Sequence, residues 1–192
     1  MKWLHQGLLS TGLVAIGEWC RFSSVLASAN SLANAIVSVP EIPFKADEGI
    51  FVLGDLKSII LDPRHANATD TKGQTLVPPT LAEFTRLFRD DLESIFGLQV
   101  PIVSGEKAAK GSIFITLSDD KSKFVDVAGR HTSEGYSLEI GESVIVSGAS
   151  PLGSWWATRS VLQLAVLNSQ KLQYGIATDA PGWANRGLMV GL

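Results

Sequence analysis

Apolar residues recur at spacings of three and four from Leu81 through Phe84, Leu87, Phe88, Leu92 and Ile95 to Phe96. One wide apolar stripe of this kind predicts an amphipathic helix packed on a core. Both of its ends are marked. Thr80 is placed to cap the first turn and Glu83 to bond back to it, while Gly97 can take the positive φ that stops a helix. Glu83, Arg86, Arg89, Asp90, Asp91 and Glu93 fill the opposite face, which reads as solvated. A second helix opens at Ser150-Pro151, with the serine as cap and the proline tolerated in the first turn. Trp155, Trp156, Val161, Leu162, Leu164 and Ala165 give it an apolar side up to Asn168. The two tryptophans stand about 100° apart on the helix and read as packing residues; stacking on a sugar would need one of them exposed.

Short β-branched runs supply the strands. Ile50 to Leu53 and Ser58 to Leu61 flank the turn pair Gly54-Asp55, which predicts two neighbouring strands. Ile113 to Leu117 is almost continuously apolar, as expected of a central strand covered on both faces. Tyr136 to Ile140 and Ser143 to Ser147, joined by Gly141-Glu142, read as a hairpin. Asp62 to Thr75 is polar and reads as a surface loop. The order ββ, α, β, ββ, α predicts an α+β (or α/β) fold: a mixed sheet with two main helices packed on it.

Composition narrows the function. The chain has 192 residues, 45% of them hydrophobic and 18% charged, enough for one ordinary core. The formal net charge is −3 with no clustered basic face, which argues against a nucleic-acid partner. Residues 1–29 read as a signal peptide: Lys2 and His5 precede the apolar run Gly7 to Gly17, and Ala27-Ser28-Ala29 or Ala33-Asn34-Ala35 offers a small-x-small cut. The run is shorter than the roughly 20 residues of a membrane span. A first amphipathic helix is the competing interpretation. The leader implies a secreted protein, followed by a linker over residues 30–43. The single cysteine, Cys20, falls within the leader, so a chain cut after it has no disulfide. Asn67-Ala68-Thr69 is an N-glycosylation sequon, with Asn67 as the acceptor.

Catalytic patterns are scarce. His5, His65 and His131 are too far apart for a helical zinc pair, so no metal site of that kind and no cofactor is expected. Gly148-Ala149-Ser150-Pro151-Leu152 lacks the last glycine of a hydrolase elbow, and no phosphate-cradling glycine loop occurs. Glycosidases use paired carboxylates, for which Asp47-Glu48 and Asp90-Asp91 are candidates by adjacency. Asp90-Asp91 lie on the solvated helix face, and no cleft-forming element adjoins Asp47-Glu48.

The segment Ile176-Ala177-Thr178-Asp179-Ala180-Pro181-Gly182-Trp183-Ala184-Asn185-Arg186-Gly187-Leu188-Met189 is more specific. It resembles the D-x-P-x-[FW]-x-x-R-G junction of family-twenty glycoside hydrolases, the β-N-acetylhexosaminidases, which joins an N-terminal α/β domain to a catalytic barrel. Gly153 to Leu164 and Gly135 to Leu138 are similar to parts of the same zincin-like N-terminal domain. The resemblance implies a domain over residues 44–176 and a junction over 177–192. It also implies hydrolysis of terminal N-acetylhexosamines from glycans or chitin oligosaccharides, with retention, by an Asp-Glu pair on the barrel. That pair's H-x-G-G-D-E setting is absent here, and Gly191 stands where the family usually has Asp. Of the family's sugar-binding residues only Arg186 has a counterpart, implied to grip hydroxyls of the terminal sugar. The expectation is therefore the non-catalytic domain of a secreted hexosaminidase, inactive alone, with the barrel as its partner. The alternative is a free-standing secreted domain that binds carbohydrate or protein.

Overall fold

The computed structural model describes residues 44–72 and 77–182. The proposed leader and linker, residues 1–43, and the end of the junction, including Trp183 and Arg186, lie outside the described residues.

Seven strands form one sheet in the order β1-β7-β5-β6-β4-β2-β3. They are β1 (Lys45–Val52), β2 (Ser58–Leu61), β3 (Ile102–Ser104), β4 (Ser112–Leu117), β5 (Tyr136–Ile140), β6 (Val144–Gly148) and β7 (Lys171–Asp179). Helix α1 (Leu81–Phe96) connects β2 to β3, and α2 (Pro151–Leu167) connects β6 to β7. β3, β2, β4 and β6 run parallel, whereas β5 is antiparallel to β6 and β7, and β1 to β7. The sheet is thus mixed, with two helices, as the pattern predicts.

The two parts of the mixture follow from the connections. Parallel pairing requires a crossover, which α1 and the loop before β5 provide; the three-residue turn Gly141 to Ser143 allows β5 and β6 to pair directly. Gly141 N donates to Ser143 O across that turn at 2.9 Å. β4 is buried along almost its whole length, as its continuous apolar run requires.

The first two strands are not neighbours. β1 pairs with β7 at one edge, and β2 lies four strands beyond β7, between β4 and β3. Gly54-Asp55 are part of a 3₁₀ turn, Leu53–Asp55, rather than a hairpin. Leu53 is fully buried and its N–H donates to Gln170 O at 2.8 Å, while Lys57 N donates to Gly111 O at 2.9 Å. Those anchors draw the segment along the end of the sheet from one edge toward the other. β3 and β7 were not predicted: β3 has three residues after a proline, and Gly175, at φ 156, interrupts the alternation within β7.

α1 has the predicted caps. Thr80 Oγ1 accepts from Glu83 N at 3.2 Å, Thr80 N donates to Glu83 Oε2 at 2.7 Å, and Gly97 is left-handed at φ 71. Its buried face is narrower than the sequence stripe. Leu81, Phe84, Phe88 and Leu92 are buried, but Leu87 and Ile95 are about half exposed. Replacing Thr80 with alanine removes one side of the box and is expected to cost about 1 kcal/mol, measured by urea unfolding; Thr80→Ser should recover most of it.

The helices are joined side by side. Phe84 stacks on Trp155 with ring centroids 5.0 Å apart, and the Arg159 guanidinium lies over the same indole at 3.6 Å. Arg159 Nη1 also donates to Asp91 Oδ2 at 2.5 Å. Asp91 therefore belongs to an interhelical ion pair, not to the solvated face expected of it. Asp90 does lie on the surface, paired with Arg89 at 2.6 Å.

Candidate functional site

β2, β4, β6 and β7 all end on one side of the sheet, and four buried aspartates gather there: Asp62, Asp70, Asp126 and Asp179. A buried carboxylate is costly unless donors surround it. Asp62, directly after β2, accepts from Arg64 Nε at 3.0 Å, Arg64 Nη2 at 2.7 Å and Thr116 Oγ1 at 2.7 Å. The Arg64 hydrogen bonds, helped by Thr116, outweigh desolvation and hold its pKa down to about 2. Asp126 accepts from the Ala128 and Arg130 amides, both at 2.9 Å, and from Arg130 Nε at 2.8 Å. The Arg130 bonds lower its pKa as well.

Asp70 and Asp179 use hydroxyls. Ser150 Oγ lies 2.9 Å from Asp70 Oδ2 and 2.8 Å from Ser133 O, and it accepts from Leu152 N at 3.1 Å. The same serine thus caps α2, as predicted, and ties the 62–72 segment to that helix. Asp179, the last residue of β7, accepts from Tyr136 Oη at 3.1 Å, and Ser160 Oγ lies 2.7 Å from the same phenol oxygen. Burial, and then the Asp179 charge, push the Tyr136 pKa up, so this phenol stays protonated and donates. Beyond Asp179, Ala180 is buried and Gly182 O accepts from Val127 N at 3.4 Å. The path by which the chain leaves the sheet is therefore set by β5, α2 and the loop before β5.

Asp62 was missed because its neighbours Pro63 to Asn67 read as plain loop; the signal available was a carboxylate and an arginine directly after a buried strand. The pair makes a pH prediction. A carboxylate whose folded pKa is depressed stabilises the fold above its unfolded value, about 3.9, and that stability is lost as pH falls toward 2. Asp62→Asn should be less stable than the parent at pH 7, and the difference should shrink between pH 4 and pH 2 in thermal melts.

The predicted carboxylate pairs do not assemble a catalytic centre. Asp47 and Glu48 are exposed on edge strand β1, where Glu48 N donates to Asp47 Oδ1 at 2.8 Å. His65 is half-buried in a turn and His131 is exposed. Among the described residues, no group of three His, Cys, Asp or Glu side chains could hold a metal ion, and no buried side-chain polar atom lacks a partner. No helix among them is long and apolar enough to cross a membrane. The aspartate-rich end is thus a set of structural clasps: each carboxylate already has donors from the fold, and together they fix loops and the exit of the chain. Asn67 is exposed within this end, on the run of turns after β2.

Residues 45–180 match glycosyl hydrolase family 20, domain 2. No curated protein matches the chain. Among solved structures, the chain is similar to a family 20 β-N-acetylhexosaminidase from Streptomyces coelicolor A3(2), at 18% identity and a TM-score of 0.47, covering 72% of this chain and 25% of that one. It is also similar to N-acetyl-β-hexosaminidase from Streptomyces plicatus, at 17% identity and a TM-score of 0.46 over 72% of this chain and 24% of that one. A third is the β-N-acetylhexosaminidase from Bacteroides fragilis NCTC 9343, at 16% and 0.46 over 75% and 24%. The chain spans about a quarter of the length of each of these structures.

Proposed function

Since this chain belongs to glycosyl hydrolase family 20 through that family's domain 2, we propose that it is the accessory, non-catalytic domain of a secreted β-N-acetylhexosaminidase. In this reading it packs on a catalytic barrel that releases terminal N-acetylhexosamines from glycans or chitin oligosaccharides, and Arg186 reaches the terminal sugar from the junction.

The observation that carries the reading is the apolar outer face of the two helices. α2 holds one charged residue, Arg159, which is paired with Asp91. Its outward stripe includes Trp156, Val166 and Leu167, the last two 59% and 49% exposed, and Leu87 and Ile95 are exposed on α1. A helix that is apolar nearly all round is normally covered on its outer side too, and exposed apolar patches of this kind mark interfaces. Asp179, through Tyr136, is tied to Ser160 on the inner side of α2, so a domain that follows the junction starts at the end of the sheet where α2 begins, the end nearer Trp156.

The purified chain is expected to release nothing from a chromogenic N-acetylglucosaminide and to enhance the fluorescence of an apolar dye. Replacing Val166 and Leu167 together with aspartate should reduce the dye signal several-fold while the melting temperature stays within a few degrees. Turnover by the chain alone would overturn the accessory role. A soluble monomer with no dye signal would remove the docking face and favour the free-standing binding domain instead.

A further inference from the structure

We propose that Asn67 carries an N-linked glycan; the inference rests on the secreted reading, because the sugar is added in a eukaryotic secretory route. Asn67-Ala68-Thr69 is the only N-x-S/T triplet in the 192 residues, so the chain offers a single acceptor. The fold adds what the triplet cannot show by itself. The segment after β2 is clasped at both ends, by Asp62 with Arg64 and Thr116, and by Asp70 with Ser150. Between those clasps the backbone turns inward: Ala66 O accepts from Ala82 N at 3.0 Å and Ala68 O from Leu81 N at 3.1 Å, satisfying amides in the first turn of α1.

Asn67 sits between these two inward carbonyls. It is exposed, as is Thr69, and none of the hydrogen bonds that hold the segment uses its side chain. The amide nitrogen that bonds to the sugar is therefore presented to solvent by a backbone the fold holds in place. A glycan attached there displaces no internal contact, and the folded domain can carry it.

The test translates the full chain in the presence of microsomal membranes and digests the outside with protease. The expected product is protected and runs as a larger species, which an N-glycan amidase returns to the unmodified size. Asn67→Gln and Thr69→Ala should abolish the shift, and Thr69→Ser should retain it. Protected chain with no shift overturns the site, and so does a shift that persists in Asn67→Gln. Unprotected chain instead overturns the secreted reading; the same chain placed behind the leader of an established secreted protein then decides Asn67 by the same shift, its absence overturning the site.

Discussion

Phe88→Ala is expected to destabilise the domain by about 3–5 kcal/mol, the range for emptying a fully buried phenylalanine site. Phe88 has no exposed surface and lies on α1 between Phe84 and Leu92, both buried. Its neighbour Leu87 belongs to the same sequence stripe but is 47% exposed, so Leu87→Ala should cost about 0.5 kcal/mol or less. Chemical unfolding of both variants reads the difference. Equal losses would mean that α1 presents a different face to the sheet.

Gly153→Ala is the second large effect. In an ordinary helix interior the change would help, since alanine is favoured over glycine by about 1 kcal/mol. Here an added methyl group would overlap the carbonyl oxygen of Gly135. That oxygen cannot swing aside as a side chain does: it is backbone, and it accepts from Ala149 N at 2.8 Å. Separating α2 from the start of β5 should cost about 3 kcal/mol beyond the propensity gain. The Tyr136–Ser160 contact bridges the same two elements, so an indole or tyrosine fluorescence change should accompany the lower melting temperature. Unchanged stability would show that the two backbones are not in contact.

These two sites show which kinds of information the chain carries locally. The helices, β4 and the β5–β6 hairpin are legible because period, caps and turn residues are written within a few positions of one another. Phe88 and Leu87 are indistinguishable at that level; only the angle at which α1 meets the sheet separates them. The placement of β1 beside β7 is a pairing between opposite ends of the domain, and no local turn signal encodes it. Gly54-Asp55 imitates a hairpin signal, but burial of Leu53 and its bond to Gln170 O override it.

The site follows the same division. Ser150 was legible as a cap, because a cap is a local device, but its link to Asp70 spans 80 positions. Tyr136 and Asp179 are 43 positions apart and neither resembles a clasp by itself. The junction motif is recognisable as a pattern, and the physical role of its first residue emerges only when β5 and α2 are packed around it. Arg186, the residue to which the resemblance assigns sugar contact, lies outside the described residues.

The pairing of β1 with β7 also bears on how the domain is made. A chain emerging from the ribosome presents β1 first, but the partner of β1 is the last strand, so Phe51 and its neighbours wait until Lys171 to Asp179 have been synthesised. The parallel strands and the hairpin can associate earlier, leaving β5 with an unpaired edge. Closing so long a loop carries a large entropic cost, and such sheets fold slowly with sticky edges exposed in the meantime. A chain stopped before residue 171 would therefore lack β7 and leave both β1 and the edge of β5 without a partner, whereas release after Asp179 allows the sheet to close.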